Sequence, residues 1–394
     1  MVDYYDIIVA GGSISGLLAA REAAAAGLSV VVLEEDAEIG TPEHCGGLVS
    51  TSGIKNLGIM PSSNAIENNS IKYAKIFSPS KSFELNAEKQ KVVVLDRRTF
   101  DKQVAFQAQK IGAEIRTKCS MHSIAKKNNT DNSNSGNSYY LIKTSEGLLT
   151  CSYFIDARGI GSLIKHNRQG LLQSAQYEVY APWIDRNTIE IRFDRERYPG
   201  FFAWIIPTGS GKGKVGVAGR SINAANSLKS YMEDKGEKYS IVRKVYAPIW
   251  IMGPLERFVI DRSMVVGDAA GQTKPTTAGG IYTCGIGGIL AGKALTKSIE
   301  KNDRNLYYYE KNWFSIFKSE FDKMLLVRKV LERLDNKAID KLVSTISKGE
   351  IDDLSKTGDF DFHSTAASKI LNSTMGVKIA KTIFDNEIRR LINF

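Results

Sequence analysis

Near its start this chain reads as a short apolar run ending in glycines, then a helix of small residues, then a second β-branched run. Tyr4 to Ala10 reads as a buried strand, Ile14 to Ala26 as a helix that Gly27 stops, and Leu28 to Leu33 as a second strand. A βαβ unit of this kind commits the chain to a parallel sheet with a right-handed crossover. The chemistry sits in the connecting turn, Gly11-Gly12-Ser13-Ile14-Ser15-Gly16. Such a turn needs one small residue for the bend, a second for close approach to a diphosphate, and a third for helix–strand packing. Gly11 and Gly16 supply the first and third, and Ser13 stands at the second with a hydroxyl able to donate to a phosphate oxygen. The helix that follows offers free backbone N–H groups and the positive end of its dipole. Glu34 directly follows the second strand, where a carboxylate can accept both hydroxyls of an adenosine ribose and disfavour a 2′-phosphate; Glu35 is its rival.

Far downstream comes Met264-Val265-Val266-Gly267-Asp268-Ala269-Ala270-Gly271, a strand ending in an Asp among small residues. That Asp suits a ribitol or ribose hydroxyl. The segment from Pro275 to Gly280 then opens a helix running from Gly279 to Ile299, starting with Gly279, Gly280 and Ile281. Its N-terminus would favour the negative charge of a reduced flavin. Glycines at 279, 280, 285, 287 and 288 would let a flat ring lie close to backbone. Together the two motifs point to FAD, clasped by Gly11, Gly12, Ser13, Ser15, Gly16 and Glu34 on one side and Gly267, Asp268, Pro275, Gly279, Gly280 and Ile281 on the other.

The rest of the chain suggests an α/β protein of two domains. A discontinuous Rossmann-type FAD-binding domain takes residues 1–60, 90–165 and 255–300. An interleaved antiparallel-sheet substrate domain takes 61–89 and 166–254, and a helical C-terminal region takes 301–394. Val92 to Leu95 reads as a strand and Thr99 to Lys110 as a helix; Ile189 to Arg195, Phe201 to Ile206 and Lys214 to Ala218 have strand composition. Lys126 to Ser138, rich in Asn and Ser, reads as an exposed hairpin loop. Trp313, Phe317, Phe321, Leu325 and Arg328 form a stripe at helical spacing, read as a core-packing face. The tail from Ile351 to Phe394 reads as helical with scattered basic residues, among them Lys369, Lys378, Lys381, Arg389 and Arg390.

Four widely spaced cysteines with no Cys-x-x-Cys pair argue against a zinc site or disulfide framework, so no metal is expected and the compartment is reducing. No signal peptide precedes the first strand, which suits a cytoplasmic protein. The apolar stretch from Ala278 to Leu295 is broken by glycines and Lys293 and is a poor membrane span. A net charge of +10 favours anionic partners. With no nucleic-acid motif, lipid headgroups rank above DNA.

Three further segments carry a resemblance. They are Gly40-Thr41-Pro42-Glu43-His44-Cys45-Gly46-Gly47, Pro199-Gly200-Phe201-Phe202-Ala203-Trp204-Ile205-Ile206-Pro207, and Lys274-Pro275-Thr276-Thr277-Ala278-Gly279-Gly280. With the βαβ start and the Arg of Leu95-Asp96-Arg97-Arg98, the chain resembles the p-hydroxybenzoate hydroxylase-like flavoproteins. Within them it is most similar to the geranylgeranyl reductase family, which includes archaeal digeranylgeranylglycerophospholipid reductases. The resemblance implies that Cys45 and Gly46 lie near the flavin ring and that Arg97, Ala157 and Gly159 help hold FAD. It also implies that Phe202, Trp204, Ile206 and Pro207 line the substrate pocket. Phe202 and Ile206 stand where the family has Tyr and Phe. Arg158, in Ala157-Arg158-Gly159, stands where related hydroxylases carry an Asp serving both FAD and NADPH.

The function so implied is FAD-dependent saturation of C=C bonds in geranylgeranyl chains, on membrane ether lipids or their precursors. Cys45 is the candidate catalytic residue, as proton relay or for positioning. The electron donor stays open between NAD(P)H, a deazaflavin and ferredoxin, with a donor protein among the partners. Work on such lipids fits peripheral attachment to the inner face of the cell membrane. Two other readings remain: an aromatic-type FAD monooxygenase, and a non-catalytic prenyl-binding protein on the same fold.

Overall fold

The computed structural model describes residues 2–128, 138–164, 170–236, 238–301, 305–357, 359–362 and 381. Its first sheet has a parallel spine of Ser263–Val265, Gly147–Asp156, Asp3–Ala10, Val30–Leu33 and Glu114–Arg116, in that spatial order. Ile7, Ile8, Val9 and Ala10 in the central strand are fully buried, as a strand covered on both faces requires. Register aligns the carboxyl ends of the spine: Ala10 lies opposite both Leu33 and Asp156, and Asp156 opposite Val265. The segments after Ala10, Leu33, Asp156 and Val265 therefore emerge along one edge, where open α/β sheets place their ligands. The second strand starts at Val30, not Leu28. Gly27, at φ +81, turns the chain, and the Leu28 N–H reaches back to the Ala23 carbonyl, so these residues stop the helix Ile14–Ala25.

A hairpin of Met121–Asn128 and Ser138–Thr144 extends this sheet. Lys126, Lys127, Asn128 and Ser138, read from sequence as loop, are strand residues, because Lys126 and Lys127 pair across the ladder with Tyr140 and Tyr139. Residues 129–137 of that expected loop lie outside the described residues. The helix after Leu95 begins at Arg97 rather than Thr99, since the Asp96 carboxylate caps it by accepting from the Arg98 and Thr99 N–H groups.

The second sheet runs Ser240–Tyr246, Leu171–Tyr180, Lys212–Gly219, Ala203–Gly209, Thr188–Arg192, Tyr73–Phe77 and Ser82–Asn86 in spatial order. It is antiparallel except where Thr188–Arg192 pairs parallel with Tyr73–Phe77. Phe201 and Phe202 precede the strand instead of opening it, because Gly200 at φ +80 turns the chain there. On one face, Leu228, Tyr231 and Met232 of helix Ala224–Glu233 pack onto Ala175, Ala203, Ile205, Val215 and Val217. The two-residue period of a strand therefore sends Gln176, Trp204, Ile206 and Gly216 to the other face. A small sheet of Leu48–Ser50, Val92–Leu95 and Ile66–Asn68 packs Val92 and Val94 with Ile189, Ile191 and Ile206.

Helix Ile281–Lys301 lies along helix Ile14–Ala25. A Cβ on Gly288 would fall 2.1 Å from the Ser15 carbonyl oxygen, and one on Gly292 2.6 Å from that of Ala19. A Cβ on Gly285 would meet Leu57 and Leu18, and one on Gly287 would meet Gln272. So the glycines at 285 and 288 make room for helix Ile14–Ala25 and the one at 287 for the Gln272 side chain, not for a flat ring; their spacing alone does not separate these uses. In helix Tyr307–Leu331 the buried stripe is Trp313, Phe317, Phe321, Met324 and Arg328, with Leu325 half-buried beside it. Helix Lys348–Thr357 continues past the expected start at Ile351, but Asp359–Phe362 is not helical. Of the basic tail residues, Lys381 is exposed, and Lys369, Lys378, Arg389 and Arg390 lie outside the described residues. No described helix is long and apolar enough to cross a membrane.

Candidate active site

The first glycine turn is built as a phosphate cradle. Gly11 has φ +107, and a Cβ there would lie 2.5 Å from the Ala157 carbonyl oxygen. A Cβ on Gly16 would lie 2.1 Å from the Gly11 carbonyl oxygen, so helix and turn touch backbone to backbone. Ser13 precedes the helix without capping it through its side chain; its hydroxyl instead hydrogen-bonds that of Ser15 at 3.2 Å. The first-turn N–H groups thus carry no side-chain cap. Glu34 accepts from the Gly12 N–H at 2.7 Å and the Asp36 N–H at 2.9 Å. Burial pushes its carboxyl above the usual range, against the pull of those two donors. Glu35 is exposed. The structure therefore sets Glu34, not its rival, against the turn.

The distant motif meets this turn. A Cβ on Gly267 would fall 2.4 Å from the Ser15 hydroxyl oxygen, and one on Gly159 lies 3.8 Å from the Asp268 Cβ. Gly11, Ala157, Gly159 and Asp268 thus follow one another along the carboxyl edge. Asp268 is exposed, and its carboxylate accepts from the Thr273 hydroxyl and, at 3.5 Å, from the Cys284 thiol. Burial, with Asp268 adding to it, drives that thiol well above the ordinary range. Arg158 forks onto its own strand-end carboxylate, Asp156, at 3.0 and 2.9 Å. A narrow backbone cradle, an uncapped helix start, a held carboxylate at one end and an exposed one further along fit FAD.

Gln272, missed in the sequence, anchors the Asp268 turn. It is fully buried, accepts from the Gly267 N–H at 2.9 Å and donates to the Tyr309 hydroxyl at 2.8 Å. That hydroxyl donates to the Val265 carbonyl, and the Thr283 hydroxyl donates to the Gln272 carbonyl. Gln272→Leu strands the Gly267 N–H and removes a donor to Tyr309. We expect a loss of about 1–3 kcal/mol in urea unfolding, since a buried donor left unmade costs its desolvation.

The Cys45 loop joins this edge to the second sheet. Gly40, at φ +80, lies so close to Arg97 and Arg98 that a Cβ would meet the Arg97 carbonyl oxygen at 2.9 Å. The Glu43 carboxylate is fully buried and accepts from Lys214 at 2.6 Å and Arg243 at 2.7 Å, both on the second sheet, and from the Arg97 N–H at 3.2 Å. Burial raises the Glu43 carboxyl, and these cations more than reverse it, so it stays ionised below the ordinary range. Arg97 forks onto buried Asp101 at 2.9 and 2.8 Å and also faces Cys45. The Cys45 sulfur accepts from the Gly47 N–H at 3.3 Å. His44 is exposed.

Cys45 and the substrate-face residues converge. The Gln176 side-chain amide donates to the Cys45 carbonyl at 3.3 Å and accepts from the Trp204 indole N–H at 3.1 Å. Gly216 lies between them in the sheet, and a Cβ there would fall 2.2 Å from the indole. A Cβ on Gly46 would fall 2.5 Å from Ile206 Cδ1. Phe201 and Phe202 stack at 4.0 Å and meet Trp204 edge-on. Ala278, at φ +56, packs on this aromatic cluster and so brings in the Pro275–Gly280 segment. A Cβ on Gly280 would sit within 3.5 Å of Asp268 Oδ1, and Gly279 leans on Lys274. Ile281 starts the long helix, buried. Pro207 is set apart: it is buried, and its carbonyl accepts from the Asn68 side chain at 2.9 Å.

Two residues without a sequence signal tie these loops together. Gln176 has none because an isolated polar residue in a strand reads as solvent-facing. Arg328 sits at a stripe position read as core, yet it donates to the Pro275 carbonyl at 3.0 Å and to that of Gly200, linking the flavin-side loop to the aromatic segment. Burial lowers its guanidinium to about 10.

Residues 6–167 match the family model for FAD dependent oxidoreductases. The chain is 30% identical to digeranylgeranylglycerophospholipid reductase 2 of Methanothermobacter thermautotrophicus, across 89% of this chain and 94% of that protein. It is also 30% identical to the digeranylgeranylglycerophospholipid reductase of Methanocaldococcus jannaschii, across 88% and 91%. A geranylgeranyl bacteriochlorophyll reductase-like protein from Thermoplasma acidophilum shares the fold with a TM-score of 0.83 at 24% identity, over 98% of this chain and 100% of that one. The cofactor is FAD. With identity at this level running nearly end to end, the chain belongs to the geranylgeranyl reductase family of FAD-dependent oxidoreductases.

Proposed function

We propose that this protein saturates C=C bonds of geranylgeranyl chains carried on membrane lipids or their precursors. The observation that carries the reading is the apolar wall of Phe202, Trp204 and Ile206 set against Cys45-Gly46 on one side and Ala278 on the other. An isolated trisubstituted alkene is not polarised, so hydride alone does not add to it. One carbon must take a proton while the other takes the hydride. FAD, when bound and reduced, supplies the hydride, and NAD(P)H, a deazaflavin or ferredoxin restores it. The remaining work falls to this chain. Trp204, Phe202 and Ile206 hold the prenyl segment and exclude water. The Cys45 thiol faces the Arg97 guanidinium and is the candidate to deliver the proton or to position the carbon that takes it. Gln176 fixes the Cys45 loop relative to the indole.

The test is anaerobic. The chemically reduced protein is mixed with a geranylgeranylated glycerophospholipid, and the flavin spectrum and product mass are followed. The reading requires flavin reoxidation with product heavier by pairs of hydrogens; a flavin that stays reduced with unchanged lipid rejects it. Cys45→Ala should lower turnover by about tenfold to a hundredfold, the lower part of the range for a positioned proton-transfer group, with FAD content unchanged. Full activity in that variant would remove Cys45 from the mechanism.

A further inference from the structure

We propose that the free edge of the second sheet is where this protein docks on an anionic bilayer. Among the described residues, strand Ser240–Tyr246 ends that sheet, pairing on one side only with Leu171–Tyr180. Three large side chains stand in the open at the end of the edge where Tyr180 pairs with Ser240: Tyr180 is 53% exposed, Ile241 39% and Val242 56%. A shallow groove of about 660 Å³ opens beside them between Tyr180, Pro182 and Tyr239. Lys212 and Lys238 flank this end, exposed, with Lys212 over the Tyr180 ring; Lys244, exposed over the Tyr177 ring, lies further along the same strand. The neighbouring Arg243 is held by Glu178 at 3.1 Å and by buried Glu43 at 2.7 Å, so the lysines carry the exposed charge here.

The combination selects its partner. Tyrosine rings sit at the headgroup level of a bilayer, aliphatic side chains sink just below it, and lysines are drawn to anionic headgroups. Edge lysines also deter strand pairing with a second copy, which would leave their charges facing each other. The position suits the function, and this inference rests on the proposed lipid substrate. Gln176 lies one strand in from the edge and Trp204 three strands in, so the reduction site is about 14 Å from the docked edge at the usual strand spacing. A prenyl chain can cross that distance without its headgroup leaving the surface.

The test uses the full chain loaded with FAD in flotation against vesicles of phosphatidylcholine alone or with three parts in ten phosphatidylglycerol. We expect flotation with the anionic vesicles, suppressed by high salt. Val242→Glu with Lys244→Glu should reduce it at least tenfold, with melting temperature and reduction of detergent-dispersed lipid unchanged. Equal partitioning of variant and parent, or no preference for anionic vesicles, overturns the proposal. So does a parent that is dimeric by mass photometry and becomes monomeric in the variant, because the edge then belongs to a second copy. Vesicle binding without lipid reduction would spare this inference and reject the reductase reading; reduction in detergent without vesicle binding would do the reverse.

Discussion

Gly11→Val is expected to give a colourless protein. At φ +107 a β-branched residue is strained by about 1–3 kcal/mol. Its Cβ would also fall 2.5 Å from the Ala157 carbonyl oxygen, at the point where the first strand's turn meets the segment leading to Asp268. Relief requires the turn to move away from Ala157, which opens the cradle and turns the first helix N–H groups aside. Together these effects should weaken FAD binding by about a thousandfold or more, equal to roughly 4 kcal/mol. Flavin absorbance after dialysis, followed by calorimetric titration with FAD, measures it. Because the turn is also packed backbone to backbone, Asp268→Ala serves as the companion. Its carboxylate is exposed and its loss should leave melting unchanged while lowering FAD affinity by about tenfold, the value of one good hydrogen bond to a charged group. Retention of full FAD content in both variants would contradict the site.

The second large effect separates substrate handling from cofactor holding. Gly216→Val places a side chain where the Trp204 indole lies, 2.2 Å from its nearest ring atom. The indole is rigid and must leave the sheet. It takes with it the hydrogen bond to Gln176, and the Gln176 link to the Cys45 carbonyl loses its support. We expect kcat/KM for prenyl substrate to fall about a hundredfold, a cost typical of misplacing reacting groups by an ångström. The FAD content should match the parent, because the Gly11, Glu34 and Asp268 contacts do not involve this sheet face. Trp204→Phe should lie between the two, since it keeps an aromatic wall and loses only the indole donor. A Gly216→Val enzyme with normal kcat/KM would remove the Trp204 wall from the substrate path.

Much of this was legible in the residues because the relevant constraints are local. A strand followed by a glycine turn and a small-residue helix announces itself over thirty residues, and Asp268 at the end of a strand does the same. Parallel pairing then brings the two together without further instruction, since aligned registers place every carboxyl end on one edge. What escaped depends on long-range partners. Gln176 matters because Cys45 and Trp204 arrive from other parts of the chain. Arg328 looked like one more residue on an apolar face, and its two carbonyl partners come from Pro275 and Gly200. Gln272 and the Glu43–Lys214 pair are hidden in the same way. The glycines at 285, 287 and 288 are ambiguous in sequence for the complementary reason: one composition serves both a flat ring and close packing, and only the approach to Leu18, Leu57, Gln272 and Ser15 decides.

A crystal structure of the FAD-loaded protein tests the central claim most directly. The account requires the adenosine ribose on the Glu34 carboxylate, the ribityl chain beside Asp268, and the flavin ring lying between Cys45-Gly46 and Ala278 with one face toward Trp204. A ring seated away from that aromatic wall, or a dinucleotide that touches only one of Glu34 and Asp268, would contradict it.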